Sequence, residues 1–297
     1  MEVLYEKYYG LLFHLAYQMT GSAADAEDIV QDVFVRVHGL SIENLAEPKA
    51  YLCKMTTNRS LDLLKSARKK REVYTGPWLP EPIPTPTLDT MQSVVHKDLL
   101  SYAMLALLER LTPAERAVFV LREALCFEYV DIAEFVGKSE ANCRKIFSRA
   151  RGKMGIAEDE QLLALNSDKE WVNRFLFALE QGNMDTLLSL LSEDAVLLSD
   201  GGGKVLAALR PIISRDRVSR FLLGLRRKAA QSGVDSRIEL MSLNGQTSFV
   251  TYTDGQIVTI GFLHIVNGAI RSIYLMRNPD KLAVVKQHCS CGEWRFS

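Results

Sequence analysis

The sequence predicts a multidomain chain in which two all-α modules, joined by a proline-rich linker, are followed by an α+β domain. Three observations predict this order: helical apolar spacing on both sides of residues 74–87, five of the nine prolines between Pro77 and Pro86, and strand patterns confined to the second half. A length of 297 residues is typical of two or three domains. The predicted domains are residues 1–73, the linker 74–92, residues 93–157 and residues 158–297.

The first module is predicted to be helical from its cap and its apolar spacing. Ser22 and Asp25 have the spacing of a capping box, in which each side chain satisfies a free amide of the first turn. The helix after this cap carries an apolar stripe formed by Ile29, Val33 and Val37. Three acids, Asp25, Asp28 and Asp32, fall on another face. A further helix is predicted after Pro48, and it runs into the basic cluster Lys65–Arg71.

The linker is predicted to be extended and stiff. Proline fixes φ and has no amide hydrogen, so a segment this rich in proline favours polyproline-II geometry and can span distance without a core. Trp78 is its one tryptophan, flanked by prolines. A tryptophan held in this way is a preordered anchor that loses little entropy on docking.

The second all-α module has the pattern of a helix-turn-helix. Thr112 and Glu115 predict one capped helix, and Gly137 a turn before a helix that Ser139 caps. In this last helix the predicted core stripe is Cys143, Phe147 and Ala150, with basic residues on the outer face. The same spacing predicts that Ile146 is exposed.

The third module is predicted to be α+β. Helices are expected at about 168–182, 184–192 and 214–231, with a strand at 195–200 between the second and the third. Four later strand patterns are separated by turn dipeptides, among them Asn244-Gly245 and Asn267-Gly268. These hairpin signals predict an antiparallel, curled sheet.

The composition limits which classes of function are possible for this chain. The formal net charge is zero, but two basic clusters lie in the first half and are cancelled by acids elsewhere. Five scattered cysteines and the absence of a long apolar run or signal-peptide pattern favour a cytoplasmic protein without a membrane span. His288–Cys291 contains a Cys-x-Cys pair without a second ligand pair, so no metal is predicted, and nothing in the sequence calls for a cofactor.

Residues 1–155 resemble an alternative bacterial sigma factor of the extracytoplasmic-function group. The resemblance rests on three motifs in order: DAEDIVQDVFVRV (25–37), PKAYLCKMTTNRSLDLLKSARKK (48–70) and the helix-turn-helix of 111–154. It implies that the first motif docks on the β and β′ subunits of core RNA polymerase, that the second opens the promoter −10 element, and that the third binds the −35 element.

The resemblance also assigns residues to these roles. For polymerase docking they are Asp25, Asp28, Asp32 and Phe34. For the −10 element they are Tyr51, Asn58, Arg59, Lys65, Arg68 and Lys69. For the −35 element they are Ser139, Glu140, Asn142, Arg144, Lys145, Ser148 and Arg149. Arginine and lysine neutralise phosphates and bind guanine edges, and asparagine pairs with adenine, so the residue types fit promoter DNA.

The second half resembles a SnoaL-like domain, a cone-shaped α+β barrel found as an extension in one subgroup of these sigma factors. The matching segments are Trp78–Pro82, Asp200–Lys204 and Asn278–Leu282. The resemblance implies a regulatory contact between the linker and the barrel. On the linker it involves Trp78, Leu79, Pro80 and Glu81, and on the barrel Asp200, Gly201, Gly202, Gly203 and Lys204. Glu81 and Lys204 have opposite charges and are candidates to pair.

Two other classes of function stay open at this point. A barrel of this fold often has a cavity, so an unknown small ligand, or an enzyme built on Asp200, Tyr252 and His264, is an alternative. A single histidine on a strand is, however, more often a core residue than a catalyst. A helix-turn-helix regulator whose barrel senses a ligand is the other alternative, but it leaves residues 1–72 without a role.

Overall fold

The computed structural model describes residues 2–38, 47–72, 74–85, 101–155 and 169–290. The chain divides into two units, of which the first contains residues 2–72 and 104–155 of this described part. The second contains residues 74–85, 101–103 and 169–290, so the linker segment belongs with the C-terminal domain.

The described residues form helices and one sheet. The helices are α1 (Glu2–Thr20), α2 (Ala23–Val37), α3 (Pro48–Glu72), α4 (Tyr102–Leu108), α5 (Pro113–Glu123), α6 (Tyr129–Val136), α7 (Glu140–Met154), α8 (Lys169–Glu180), α9 (Met184–Leu190), α10 (Arg215–Gln231) and α11 (Pro279–Ser290). The strands are β1 (Leu191–Asp200), β2 (Ile212–Ile213), β3 (Ser236–Leu243), β4 (Gln246–Thr253), β5 (Gln256–Val266) and β6 (Ala269–Met276). None of the helices in this part of the chain is long and apolar enough to cross a membrane.

In the first unit, α1, α2 and α3 pack around the predicted apolar stripe. The Ser22 hydroxyl accepts a hydrogen bond from the Asp25 backbone amide, which is one half of the predicted capping box, while the Ser22 backbone amide donates to the Thr20 hydroxyl at 3.3 Å. Ile29, Val33 and Val37 are buried on the inner face of α2. The apolar spacing therefore correctly predicted which face of α2 turns inward.

The helix-turn-helix is built from α5, α6 and α7. Thr112 and Glu115 form the full capping box at the start of α5, and Gly137 ends α6 in the left-handed conformation at φ 63°. The prediction for Ile146 is wrong, because its exposed fraction is only 8%. The inward stripe of α7 is Cys143, Ile146, Ala150 and Met154. A core-facing stripe about 100° wide has room for residue 146 beside the half-buried Phe147.

The two helical modules also contact each other within the first unit. Arg116 of α5 is buried, and its guanidinium donates to the carbonyl of Met19 at 2.7 Å and to Glu109 at 2.7 Å. Lys54 of α3 forms an ion pair of 2.8 Å with Glu134 of α6. The described first unit is thus a single packed body rather than two independent modules.

The second unit contains one curved sheet with strand order β2-β1-β6-β5-β4-β3. The hairpin turns at Asn244-Gly245 and Asn267-Gly268 lie where the sequence predicted, with positive φ at all four residues. The expectation of an antiparallel sheet is wrong at one pair, because β1 runs parallel to β6, with Asp200 opposite Met276. The long connection between β1 and β6, which contains β2, α10 and β3–β5, allows this parallel pairing.

Helices α8, α9 and α10 cover one face of the sheet and form its main core. Val172 and Phe175 of α8 pack there with Leu263 and Ile273 of the central strands. Because side chains alternate along a strand, Phe262 and Tyr274 point to the opposite face. That opposite face faces α11 and the linker segment described next.

Candidate linker-binding site and nucleic-acid interface

Asp200, at the end of β1, is the centre of the linker-binding site. It has no exposed surface, and its two carboxylate oxygens accept four hydrogen bonds. Oδ1 accepts from the Tyr74 hydroxyl at 2.6 Å and the Gly202 amide at 2.9 Å. Oδ2 accepts from the Leu79 amide at 2.9 Å and the Lys281 ammonium at 2.8 Å. A buried carboxylate needs this many partners to offset its lost hydration.

Lys281 of α11 connects the same carboxylate to the tryptophan of the linker. Its ammonium donates to the Leu79 carbonyl at 2.5 Å and lies 3.8 Å from the centre of the Trp78 ring. The Asp200 carboxylate and the Lys281 ammonium therefore satisfy both backbone groups of Leu79. The polyproline-like linker cannot satisfy these groups itself, because that conformation has no internal hydrogen bonds.

Asn278 and the glycines complete the site. The side-chain NH2 group of Asn278 donates to the Tyr74 hydroxyl at 2.8 Å. The side-chain oxygen of Asn278 accepts from the backbone amide of Asp280 at 3.1 Å. Gly202 has φ +62°, and a β-carbon there would lie 2.4 Å from the Asn278 side chain. A β-carbon on Gly201 would meet the Val205 carbonyl at 2.5 Å. Close approach therefore requires glycine at residues 201 and 202, and the positive φ of Gly202 favours it further.

Burial is the largest cause of the raised pKa of Tyr74, and the hydrogen bond to Asp200 raises it further. Tyr74 therefore keeps its proton and acts as a donor to Asp200. The sequence did not single out Tyr74 or Lys281 individually. Lys281 lies in the Asn278–Leu282 segment that the resemblance did mark.

Lys204 does not pair with Glu81. Its ammonium forms an ion pair with Asp280, at 2.5 Å, and both side chains are exposed. Lys204 thus ties the glycine loop to α11 at the rim of the site. Gly203 is the glycine that approaches the linker, since a β-carbon on it would lie 3.1 Å from the Thr75 side chain.

A second contact holds the linker against the turn between β3 and β4. The backbone amide of Asn244 donates to the Ile83 carbonyl at 2.9 Å. In return, the backbone amide of Ile83 donates to the side-chain oxygen of Asn244 at 3.1 Å. The Gly245 amide donates to the Thr85 hydroxyl at 2.8 Å. Backbone pairing of this kind recognises an extended segment whatever its side chains.

Tyr102 is a third anchor, which the sequence did not predict. Its ring is buried and stacks on Phe262 with ring centres 3.8 Å apart and an interplanar angle of 3°. Its hydroxyl donates to the Pro80 carbonyl at 2.7 Å, and its amide donates to the Gln246 side chain at 3.2 Å. The face of the sheet opposite the main core thus binds both the linker and the start of α4.

The predicted polymerase-docking residues of α2 differ in exposure. Asp28 is exposed, whereas Asp25 and Asp32 are half-buried. Phe34 has an exposed fraction of 7% and packs on Tyr5 of α1, with ring centres 4.8 Å apart. Phe34 therefore holds α1 against α2 and does not belong to the exposed face of α2.

The predicted −10 residues lie along α3. Asn58 and Lys65 are exposed, Tyr51 has an exposed fraction of 37%, and Arg59 is half-buried beside α2. A groove of about 220 Å³ runs between the two helices. Its lining is Asp32, Val33, Arg36, Met55, Asn58, Arg59 and Asp62. The side chains of Arg68 and Lys69 lie outside the described residues.

The predicted −35 residues form the outer face of α7. Asn142, Arg144, Lys145, Ser148 and Arg149 are all exposed. Ser139 has a structural role as well, since its hydroxyl accepts from the Asn142 amide at 3.3 Å. The Glu140 carboxylate pairs with the Arg144 guanidinium at 2.5 Å, and that guanidinium lies 4.4 Å from the centre of the Tyr129 ring. Arg144 is thus held in place on the exposed face.

The structure does not bring the candidate enzymatic residues together. Tyr252 lies opposite Ile257 on β5, and the stretch from there to His264 is about 23 Å at the usual strand rise. The Asp200 carboxylate is fully engaged by the linker site. The interior beside Gly261 is filled by the Phe249 ring, which leaves no room there even for a β-carbon.

Among the described residues no group of acids, histidines or cysteines has the arrangement of a metal site. Cys289 and Cys291 lie outside the described side chains.

Two family models match the helical part of the chain. The model described as Sigma-70 region 2 matches residues 4–70, and the one described as Sigma-70, region 4 matches residues 101–154. The two helical modules, in this order and with these faces, are therefore those of an RNA polymerase sigma factor.

Two relatives that align with nearly the whole chain identify the group of sigma factors to which it belongs. The chain is 34% identical over 284 residues to the ECF RNA polymerase sigma factor SigJ of Mycobacterium tuberculosis, covering 91% of this chain and 89% of the relative. It is 28% identical over 283 residues to the probable ECF sigma factor SigI of the same species, covering 95% and 94%. The chain belongs to the extracytoplasmic-function RNA polymerase sigma factors.

A solved structure supports the same architecture from end to end. The crystal structure of Mycobacterium tuberculosis SigJ superposes with a TM-score of 0.76 at 31% identity, covering 96% of this chain and 99% of that one. The match includes the C-terminal domain, whose curved sheet and helices have the SnoaL-like architecture. The C-terminal domain is therefore shared with this relative.

Proposed function

We propose that this chain directs core RNA polymerase to specific promoters in the cytoplasm. In this proposal α2 docks on the β and β′ subunits, α3 binds and opens the −10 element, and the outer face of α7 binds the −35 element. The exposed Asn58 and Lys65 on α3, and the exposed cations of α7, support these roles because phosphates and base edges can reach exposed side chains of these types.

We further infer that the C-terminal domain controls this activity by holding the linker. The observation that carries this inference is the buried Asp200 carboxylate, which accepts hydrogen bonds from both Tyr74 and Leu79 of the linker. A domain can shift a conformational equilibrium only through contacts that differ between two states. The contacts around Asp200 are of that kind, since they form only when residues 74–80 lie in the site.

The C-terminal domain needs no catalytic activity for this role. The one fully buried acid among its described residues, Asp200, is committed to the linker, and His264 is far from Tyr252. The small ligand that the barrel fold suggested is not supported by the described residues and is left out of the proposal. A regulator without polymerase, the other alternative, is not favoured, because residues 4–70 match region 2 of sigma factors.

In vitro transcription tests the proposed function. Core polymerase from the source organism is mixed with fragmented genomic DNA, with and without the purified chain, and the 5′ ends of the transcripts are mapped. We expect new start sites that share sequence elements near −10 and −35. If the chain binds core polymerase but adds no start sites, or does not bind it, the proposed function is wrong.

A further inference from the structure

Asp32 and Arg59 form an ion pair across the groove between α2 and α3. The Asp32 carboxylate oxygen Oδ2 accepts a hydrogen bond from Arg59 Nε at 2.8 Å, and Nη2 of the same guanidinium lies 2.7 Å from this oxygen as an ion pair. These two residues have different proposed roles, since Asp32 belongs to the polymerase-docking helix and Arg59 to the −10 helix. Each side chain is therefore occupied by the other in the free chain.

The surrounding charges make Asp32 the acceptor for Arg59. Asp62 lines the same groove, but its carboxylate pairs with Lys65, three residues later on α3, at 3.0 Å. Arg36 lies on the same wall as Asp32 and adds positive charge. A guanidinium held against a carboxylate by a hydrogen bond and an ion pair has fewer donors left for DNA, and the pair as a whole has no net charge to attract a phosphate.

We propose that the Asp32–Arg59 pair is an interlock that couples polymerase docking to −10 binding. When core polymerase engages Asp32, Arg59 is released toward the DNA; when DNA engages Arg59, Asp32 is released toward polymerase. The proposal rests on the proposed function and adds a mechanism to it. Because binding free energies are linked, each partner must strengthen the binding of the other by the same factor.

The solvent exposure of the two side chains determines how large the coupling between polymerase binding and DNA binding should be. The side chains of Arg59 and Asp32 have exposed fractions of 40% and 46%, so water screens the pair. Exposed ion pairs contribute enough to change an equilibrium about two- to fivefold, and the interlock should have that magnitude. It biases the free chain against premature DNA contact without preventing assembly.

Binding to core polymerase tests one side of the interlock. Arg59→Gln frees Asp32, and we expect it to bind core polymerase about two- to fivefold more tightly than the wild type in a fluorescence titration. The matched control is Arg220→Gln, which removes the same charge and breaks another exposed Arg–Asp pair, with Asp216 of α10. Equal affinity of Arg59→Gln and Arg220→Gln would overturn the interlock alone. Failure of the wild type to bind core polymerase would overturn the proposed function with it.

Binding to DNA tests the other side. Asp32→Asn frees Arg59, so the full-length chain without polymerase should bind short single-stranded DNA of random sequence more tightly. Asp28→Asn removes the same charge from the exposed face of the same helix and controls for general electrostatics. We expect the gain from Asp32→Asn to exceed that from Asp28→Asn by about two- to fivefold and to vanish when Arg59→Gln is added. Equal gains from the two variants would contradict the proposal.

Discussion

The Lys281 ammonium lies 2.8 Å from the Asp200 carboxylate, and the two side chains have exposed fractions of only 7% and 0%. Water cannot replace either partner at this depth, so the pair depends on the linker backbone that completes its hydrogen bonds. A rim pair in the same site, Lys204 with Asp280, has exposed fractions of 55% and 65%. The two pairs provide a direct comparison of a buried and a screened interaction.

Replacing Lys281 by methionine should strongly destabilise the linker-binding site. Removing one partner of a buried ion pair leaves an uncompensated charge, which costs about 3–5 kcal/mol. Lys204→Met breaks the exposed pair and should cost no more than about 1 kcal/mol. Native-state hydrogen exchange of the β1 and β6 amides measures both values. Equal costs for the two variants would show that the buried pair is not what holds the site.

Gly202→Ala should cost more than the same change at Gly268. Both residues have positive φ, +62° and +71°, but only at Gly202 would the new β-carbon clash, at 2.4 Å from Asn278. We expect about 1 kcal/mol at Gly268, from the backbone conformation alone, and about 3 kcal/mol at Gly202. Urea unfolding of the two variants measures the difference. A difference near zero would mean that the glycine loop does not approach Asn278 closely.

The C-terminal domain should lose stability below neutral pH through His264. Burial lowers the pKa of His264 to about 4, with Arg271 as a further cause, against 6.5 for the unfolded chain. The unfolded state therefore binds the proton more readily, and stability falls as the pH drops from about 6.5 to about 4.

Comparing the wild type with His264→Gln isolates this effect. Between pH 7 and pH 5 the wild type should lose about 2 kcal/mol more than the variant, as measured by hydrogen exchange of the β5 and β6 amides after correction for intrinsic rates. These amides separate His264 from His14 of the first unit, whose pKa burial also lowers to about 4. Parallel pH profiles for the two proteins would rule out His264 as the cause.

Substitutions on the two faces of α7 should have different effects, one on stability and the other on DNA binding. Ile146→Ala removes a buried side chain and should destabilise the first unit by about 2–5 kcal/mol. Arg149→Ala lies on the exposed face and should change stability by no more than about 0.5 kcal/mol while weakening binding to −35 DNA. Thermal unfolding and a DNA-binding titration check the two outcomes. A stable Ile146→Ala variant with impaired DNA binding would restore the sequence-based assignment.

The features that the sequence predicted correctly are local ones. The cap at Ser22, the capping box at Thr112 and the turn at Asn244-Gly245 each depend on residues within one turn of one another, and each lies where predicted. The burial of Ile146 was missed because a stripe of three residues underestimates the width of a core-facing helix surface. The parallel pairing of β1 with β6 was missed because strand patterns carry no direction.

The partners in the linker site could not be predicted from spacing. Asp200 meets Tyr74 across 126 positions of the chain and Lys281 across 81, and no periodicity connects residues so far apart. The resemblance to sigma factors with a SnoaL-like extension marked the right segments but not the pairs within them. Opposite charge alone made Glu81 and Lys204 candidates to pair, whereas Lys204 pairs with Asp280.

The rate of transcription initiation from a single promoter tests most directly whether binding of the linker by the C-terminal domain controls this sigma factor. Core polymerase is assembled with the wild type, with Lys281→Met, or with Lys228→Met, the same substitution on the exposed surface of α10. We predict that Lys281→Met changes the rate of initiation several-fold without moving the start site, while Lys228→Met matches the wild type. Equal rates for all three, with exchange data showing that Lys281→Met has released the linker, would contradict the account.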